Sequence, residues 1–212
     1  MIQQHRNEVF ATALKKNYSI ISQAIQRSQL DNGPVDTWDF ASANNNESQK
    51  EFIKKYILPY FQTTKICGFN TGNGCFKPNT AYKNITGQNT TTFDNSSSDF
   101  KFVLNDGSLY LVSIKSNCIE DRTRCIIFNI DTNGHKSPNQ IGRDVFSINV
   151  FPFTNNVMPD GTYPATGTYN SETKRWSYQS KEDVDSNCNP NGSGSGWACS
   201  GKIMREGWKM NY

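Results

Sequence analysis

The chain has 212 residues, 35% of them hydrophobic, with a mean hydropathy of -0.69 and a formal net charge of +3. That length suits one domain, or one domain with large insertions. The weak charge does not by itself call for nucleic acid as a partner, no run approaches the roughly 18 apolar residues of a membrane span, and no secretory signal is visible.

Gln3 to Leu30 reads as a single long helix. Phe10, Leu14, Ile21 and Ile25 follow three- and four-residue spacing, with Asn17 interrupting the row, so they share one face. That face is expected to dock on the rest of the fold. Asp31-Asn32-Gly33-Pro34 ends the run, because Gly tolerates a left-handed C-cap and Pro cannot continue a helix. The start, Met1-Ile2-Gln3-Gln4-His5-Arg6, offers no convincing N-cap. The stretch therefore reads as the C-terminal half of a longer helix.

Val35 to Asn46 is a polar connector with Trp38 and Phe40 as anchors. Ser48 to Tyr60 is a second helix, since Phe52, Ile53, Tyr56, Ile57 and Tyr60 form an apolar stripe. Asn46 or Ser48 is its predicted cap. Residues 62–98, rich in Thr, Asn, Gly and Ser, read as a long surface excursion. Phe100–Leu104 and Ser108–Ile114 flank Asn105-Asp106-Gly107, and Asp-Gly between two strand-like runs signals a hairpin. Cys125–Ile130 is a third strand. Asp144–Phe153 is a fourth, with Val145, Ser147, Asn149 and Phe151 opposed to Phe146, Ile148 and Val150. Residues 154–212 read as turn-rich, with a flexible stretch over 191–196. The order predicts one α+β domain: a helical spine over 1–31, a connector with the second helix over 32–98, an antiparallel sheet over 99–153 and a turn-rich C-terminal region.

Six cysteines, Cys67, Cys75, Cys118, Cys125, Cys188 and Cys199, fall into three couples separated by eight, seven and eleven positions. Fifteen pairings are formally possible. Pairing within each couple is the simplest, because each brackets a short polar loop. Zinc is the competing reading; it needs C-x2-C or Cys/His spacings, and the chain has neither. Disulfides imply an oxidising compartment.

The order of elements resembles the type IV pilin and type II secretion pseudopilin family. Residues 14–25 (LKKNYSIISQAI) look like the periplasmic half of that family's long helix, and Asn105-Asp106-Gly107-Ser108 looks like the first hairpin of its sheet. Residues 130–146 (IDTNGHKSPNQIGRDVF) look like a loop frequent in bacterial pilin-like proteins, and residues 199–210 (CSGKIMREGWKM) resemble their closing segment. The family begins with a cleavable leader and an apolar half-helix carrying a Glu; this sequence shows neither. The resemblance implies a pilin-like fold: a long N-terminal helix packed on an antiparallel sheet with disulfide-closed loops.

The loop from Asp131 to Asp144 carries the candidate chemistry. Asp131, Asn133 and His135 alternate, followed by Asn139 and Asp144, and Gly134 and Gly142 permit sharp turns. Hard-cation sites use oxygen ligands at such spacing, and some pseudopilins hold calcium in a loop of their sheet region. There is no bidentate Glu twelve positions on. The plainer alternative is a connecting loop in which Asp131 and Asn133 bond their own backbone. Catalytic constellations are poor. His5 is placed on the exposed side of the helix, and Glu120-Asp121 and Glu182-Asp183 lie in solvated charge runs. Lys174-Arg175-Trp176 and Tyr178 mix cations with aromatics, as in sugar or nucleic-acid contacts, but a cross-strand surface cluster has the same composition.

The resemblance therefore implies a structural subunit and no enzyme. Its partners would be other pilin or pseudopilin subunits and, through a segment upstream, the bacterial inner membrane, with the globular part in the periplasm or outside the cell. The alternative is an extracellular binding module or adhesin-type minor pilin using the 62–98 and 154–198 excursions.

Overall fold

The computed structural model describes residues 2–212 apart from 70–73, 77–79, 91–95, 155, 163–167, 171, 173–174 and 178–179. The first helix, α1, spans Ile2–Asn32. Its buried face runs Phe10, Ala11, Leu14, Asn17, Ile21, Ala24, Ile25 and Ser28. The apolar stripe therefore does not break at Asn17, which is itself buried. Val9 and Leu30 fall outside it and stay exposed. Gly33 closes the helix with φ 81, its N–H bonded to the Gln29 carbonyl at 3.0 Å. Among the described residues no helix is long and apolar enough to cross a membrane.

The second helix, α2, spans Asn46–Tyr56, and Leu58–Tyr60 follow as a separate tight turn around Pro59. The cap is Asn45, one position before the predicted pair. Its extended backbone lets its side chain accept from the Glu47 and Ser48 N–H groups, while Ser48 returns a bond to the Asn45 N–H. Ser48 thus serves as the reciprocal third position of a capping box. Trp38 stacks on Tyr56 with centroids 4.7 Å apart and also packs on Phe40 and Phe52. These rings tie the connector and α2 to the core.

Six strands form one sheet in sequential order: β1 (Thr63–Gly68), β2 (Phe100–Leu104), β3 (Leu109–Ile114), β4 (Ile126–Asp131), β5 (Val145–Phe151) and β6 (Asn156–Pro159). Every pairing is antiparallel. A separate hairpin joins β7 (Thr168–Asn170) to β8 (Arg175–Ser177). The sheet starts earlier than residue 99: β1 lies inside the predicted surface excursion. It pairs with β2 through two register irregularities and leaves Thr64, Lys65 and Ile66 exposed, so it lacks the alternation of a regular strand.

One face of the sheet meets α1. Phe102, Tyr110, Val112, Phe128, Ile130, Phe146, Ile148 and Val150 share a core with Phe10, Leu14, Ile21 and Ile25. The opposite face is covered as well, where Leu109, Leu111 and Val145 pack with Phe76, Tyr82, Ile141 and the cysteines 67 and 75. With both faces covered, burial is near-continuous along β3 and β5, and even Ser147 and Asn149 of β5 are buried.

The C-terminal region contains two short helices rather than turns alone, α3 (Lys181–Asn187) and α4 (Cys199–Arg205). Where β6 turns away at Pro159, α4 takes its place beside β5. The Ser147 N–H donates to Ser200 Oγ at 3.1 Å, and the Gly201 N–H donates to the Asp160 carbonyl at 2.7 Å. This approach needs a glycine, since a Cβ on Gly201 would sit 2.3 Å from the Gly161 carbonyl carbon.

Candidate functional site

Three disulfides join Cys67 to Cys75, Cys118 to Cys125 and Cys188 to Cys199, and no described cysteine is free. The first fastens β1 to the segment that crosses the outer face. The second closes the turn from β3 to β4, and the third links the end of α3 to the start of α4.

The loop between β4 and β5 carries two buried carboxylates at its ends. Asp131 ends β4 and Asp144 immediately precedes β5, and both are 0% exposed. Asp144 accepts from the backbone N–H groups of Asn139 at 2.9 Å and Gln140 at 2.7 Å and from Asn133 Nδ2 at 3.0 Å. Asp131 accepts from the Tyr82 hydroxyl at 2.7 Å and from the Asn133 N–H at 3.2 Å. The second of these is the self-bonded turn that an Asp-x-Asn stretch favours. Gly134, at φ 69, passes so close to the β2–β3 hairpin that a Cβ would lie 2.8 Å from the Gly107 carbonyl oxygen.

Burial pushes the Asp131 carboxyl up to about 8, and the neighbouring Asp144 charge adds to it, against the bond from Tyr82. Burial raises Asp144 in the same way. Among the described residues no salt bridge reaches either carboxylate. Beside them, Asn133 Oδ1 and Asn139 Oδ1 are buried with no hydrogen-bond partner. Buried charges are normally paired or bound to metal, and buried acceptors are normally bonded. Two buried carboxylates and two unused amide oxygens thus lie in one loop, yet among the described residues no group of three or more His, Cys, Asp or Glu side chains is placed to hold a metal ion.

The structure thus brings together Asp131, Asn133, Asn139 and Asp144 and leaves His135 exposed at the loop's tip. Tyr82 belongs to this cluster and was not a predicted site residue; it lies 49 positions upstream of Asp131. His5 and the Glu120-Asp121 pair are exposed. Glu182 and Asp183 occupy the first turn of α3, where Ser180 is the cap and the Asp183 carboxylate accepts in return from the Ser180 N–H. Of the cation–aromatic cluster, Lys174 and Tyr178 lie outside the described residues, and Arg175 and Trp176 fall in β8.

Fold and disulfides define an α+β protein with a long N-terminal helix packed on an antiparallel six-stranded sheet and three sequence-local bridges. Residues 1–212 match the model described as "Family of unknown function (DUF6613)", and the chain belongs to that family. No curated protein and no solved structure matches it.

Proposed function

We propose that this protein is a structural subunit of a bacterial type IV pilus or type II secretion pseudopilus, assembling through α1, and not an enzyme. The observation that carries this reading is the way α1 is used. One stripe, from Phe10 to Ser28, is buried in the core shared with a sequential antiparallel meander, while most other positions of the helix are exposed or half-buried. A 31-residue helix is about 46 Å long at 1.5 Å per residue, longer than a small domain needs to cover one sheet face. Assembly through neighbouring helices gives the outward surface a use. The three disulfides agree with a periplasmic or extracellular location for the globular part.

Expression of the native gene in its own host tests the proposal. The product should fractionate with the inner membrane and appear in sheared filaments or support secretion. Charge reversal at exposed Arg6 should impair assembly without lowering the melting temperature of the purified domain. A product that stays soluble and unassembled while binding a ligand through its loops would overturn the proposal in favour of a binding module.

A further inference from the structure

The two ends of α1 carry complementary features. At its start, Gln3 to Val9 precede the buried stripe and are exposed, apart from half-buried Asn7. Asn7 Nδ2 donates to the Met210 and Tyr212 carbonyls at 3.1 and 3.2 Å, which holds the C-terminal segment alongside the helix. Between helix and segment lies a cleft of about 710 Å3 whose lining includes Gln4, Glu8, Trp208 and Lys209. Trp208 is half-buried, packs on Tyr18 with centroids 5.4 Å apart, and has φ 62. A bulky residue in the left-handed region is strained, and strain of this kind gathers where a ligand or partner is clamped.

At the other end, Leu30 is 86% exposed, the most exposed large apolar side chain among the described residues. Tyr60 fixes a charged group on each side of it. Arg27 Nη2 donates to the Tyr60 carbonyl at 2.6 Å, and the Tyr60 hydroxyl donates to Asp31 Oδ2 at 2.9 Å. Glu8, Arg27, Asp31 and Lys209 are all exposed, and among the described residues none of the four enters a salt bridge.

An exposed apolar side chain and a cleft elsewhere on the same molecule make a heterologous contact, which repeats from copy to copy without closing. Tryptophan is among the side chains that most often anchor an interface. The charges flanking Leu30, Arg27 and Asp31, are matched with opposite sign by Glu8 and Lys209 at the cleft.

We infer that Leu30 of one copy seats against Trp208 in the cleft of a second copy of this chain, with Asp31 facing Lys209 and Arg27 facing Glu8. Leu30 and Glu8 lie about 33 Å apart along the helix at 1.5 Å per residue, which sets the stagger between neighbouring parallel helices. This inference rests on the assembly reading and names the contact between copies within it.

Sheared-filament yield from the native gene in its own host, together with melting temperatures of the purified proteins, tests it. Leu30→Asp should lower the yield by about tenfold or more, since the same contact is lost at every junction. Its melting temperature should stay at the parent's, because Leu30 lies outside the core. Asp31→Lys and Lys209→Glu should each lower the yield several-fold, and the two together should restore most of it, because the pair re-forms with its charges exchanged. Recovery in the doubly exchanged protein cannot come from misfolding, so this arm decides even where a single variant melts early. Parental yield from Leu30→Asp overturns the contact and leaves the assembly reading in place. Lack of recovery in the doubly exchanged protein overturns the pairing of Asp31 with Lys209. A parent that forms no assembly at all overturns the reading and the contact together.

Discussion

The Tyr110 hydroxyl donates a 2.6 Å hydrogen bond to Asn17 Oδ1, joining β3 to the middle of α1 across 93 positions of chain. Both residues are buried, and Asn17 Nδ2 donates in turn to the Ala13 carbonyl at 2.9 Å. A polar pair in an apolar interface resists sliding, because any shift of the helix along the sheet leaves both partners unbonded. Asn17 therefore fixes the register at which the apolar stripe docks.

Tyr110→Phe should destabilise the protein by about 1–3 kcal/mol, since it leaves Asn17 Oδ1 buried without its donor. Asn17→Leu combined with Tyr110→Phe should recover much of that loss. A double-mutant cycle by urea denaturation measures the coupling. Strictly additive single effects would show that the bond does not fix the interface.

The stripe itself predicts a contrast. Ile21 is fully buried, and Leu30 on the same helix is 86% exposed. Ile21→Ala should cost about 2–5 kcal/mol through lost burial and the cavity left behind. Leu30→Ala should stay within about 0.5 kcal/mol of the parent. Thermal melts of both variants decide this, and similar losses would mean that the helix docks by another face.

Non-reducing peptide mapping should recover three peptides bridged within the couples 67–75, 118–125 and 188–199 and none bridged between couples. Replacing Cys118 and Cys125 together by Ala should cost about 2.5 kcal/mol, the chain-entropy value for so short a loop. An unchanged denaturation midpoint would show that the unfolded chain is already held compact there.

Asp185 links α3 to α4 through Lys181, Lys202 and Arg205. Burial alone would raise its carboxyl, but hydrogen bonds from Lys181 and Lys202 and the charges of Lys202 and Arg205 outweigh it and hold the group at about 2, below its ordinary 3.8. A depressed carboxylate stabilises the fold above its unfolded value, and that contribution is lost as pH falls through the folded one. The stability difference between the parent and Asp185→Asn should therefore be constant above about pH 5 and shrink toward pH 2. Acid-dependent melts of the pair check it; a difference that persists unchanged at pH 2 would assign the effect to packing instead.

How much of this protein was legible in its sequence follows from the range of each interaction. The stripe Phe10, Leu14, Ile21 and Ile25, the Gly33 stop, the Asp106-Gly107 hairpin and the strands around Tyr110, Phe128 and Ile148 all depend on spacing within a few turns or residues. The cysteine couples are equally local, since each closes a loop without help from a distant segment. Only the tertiary structure decided the rest. β1 was hidden because an irregular edge strand exposes Thr64, Lys65 and Ile66 in succession and so shows no period of two. Asn17 looked like a flaw in the helix until Tyr110 supplied its partner. At the 131–144 loop, the alternation of Asp131 and Asn133 marked a turn rich in oxygen. Tyr82 over Asp131 and the burial of both carboxylates arise from chain segments that meet only when the second face of the sheet is covered, and no local spacing encodes that meeting.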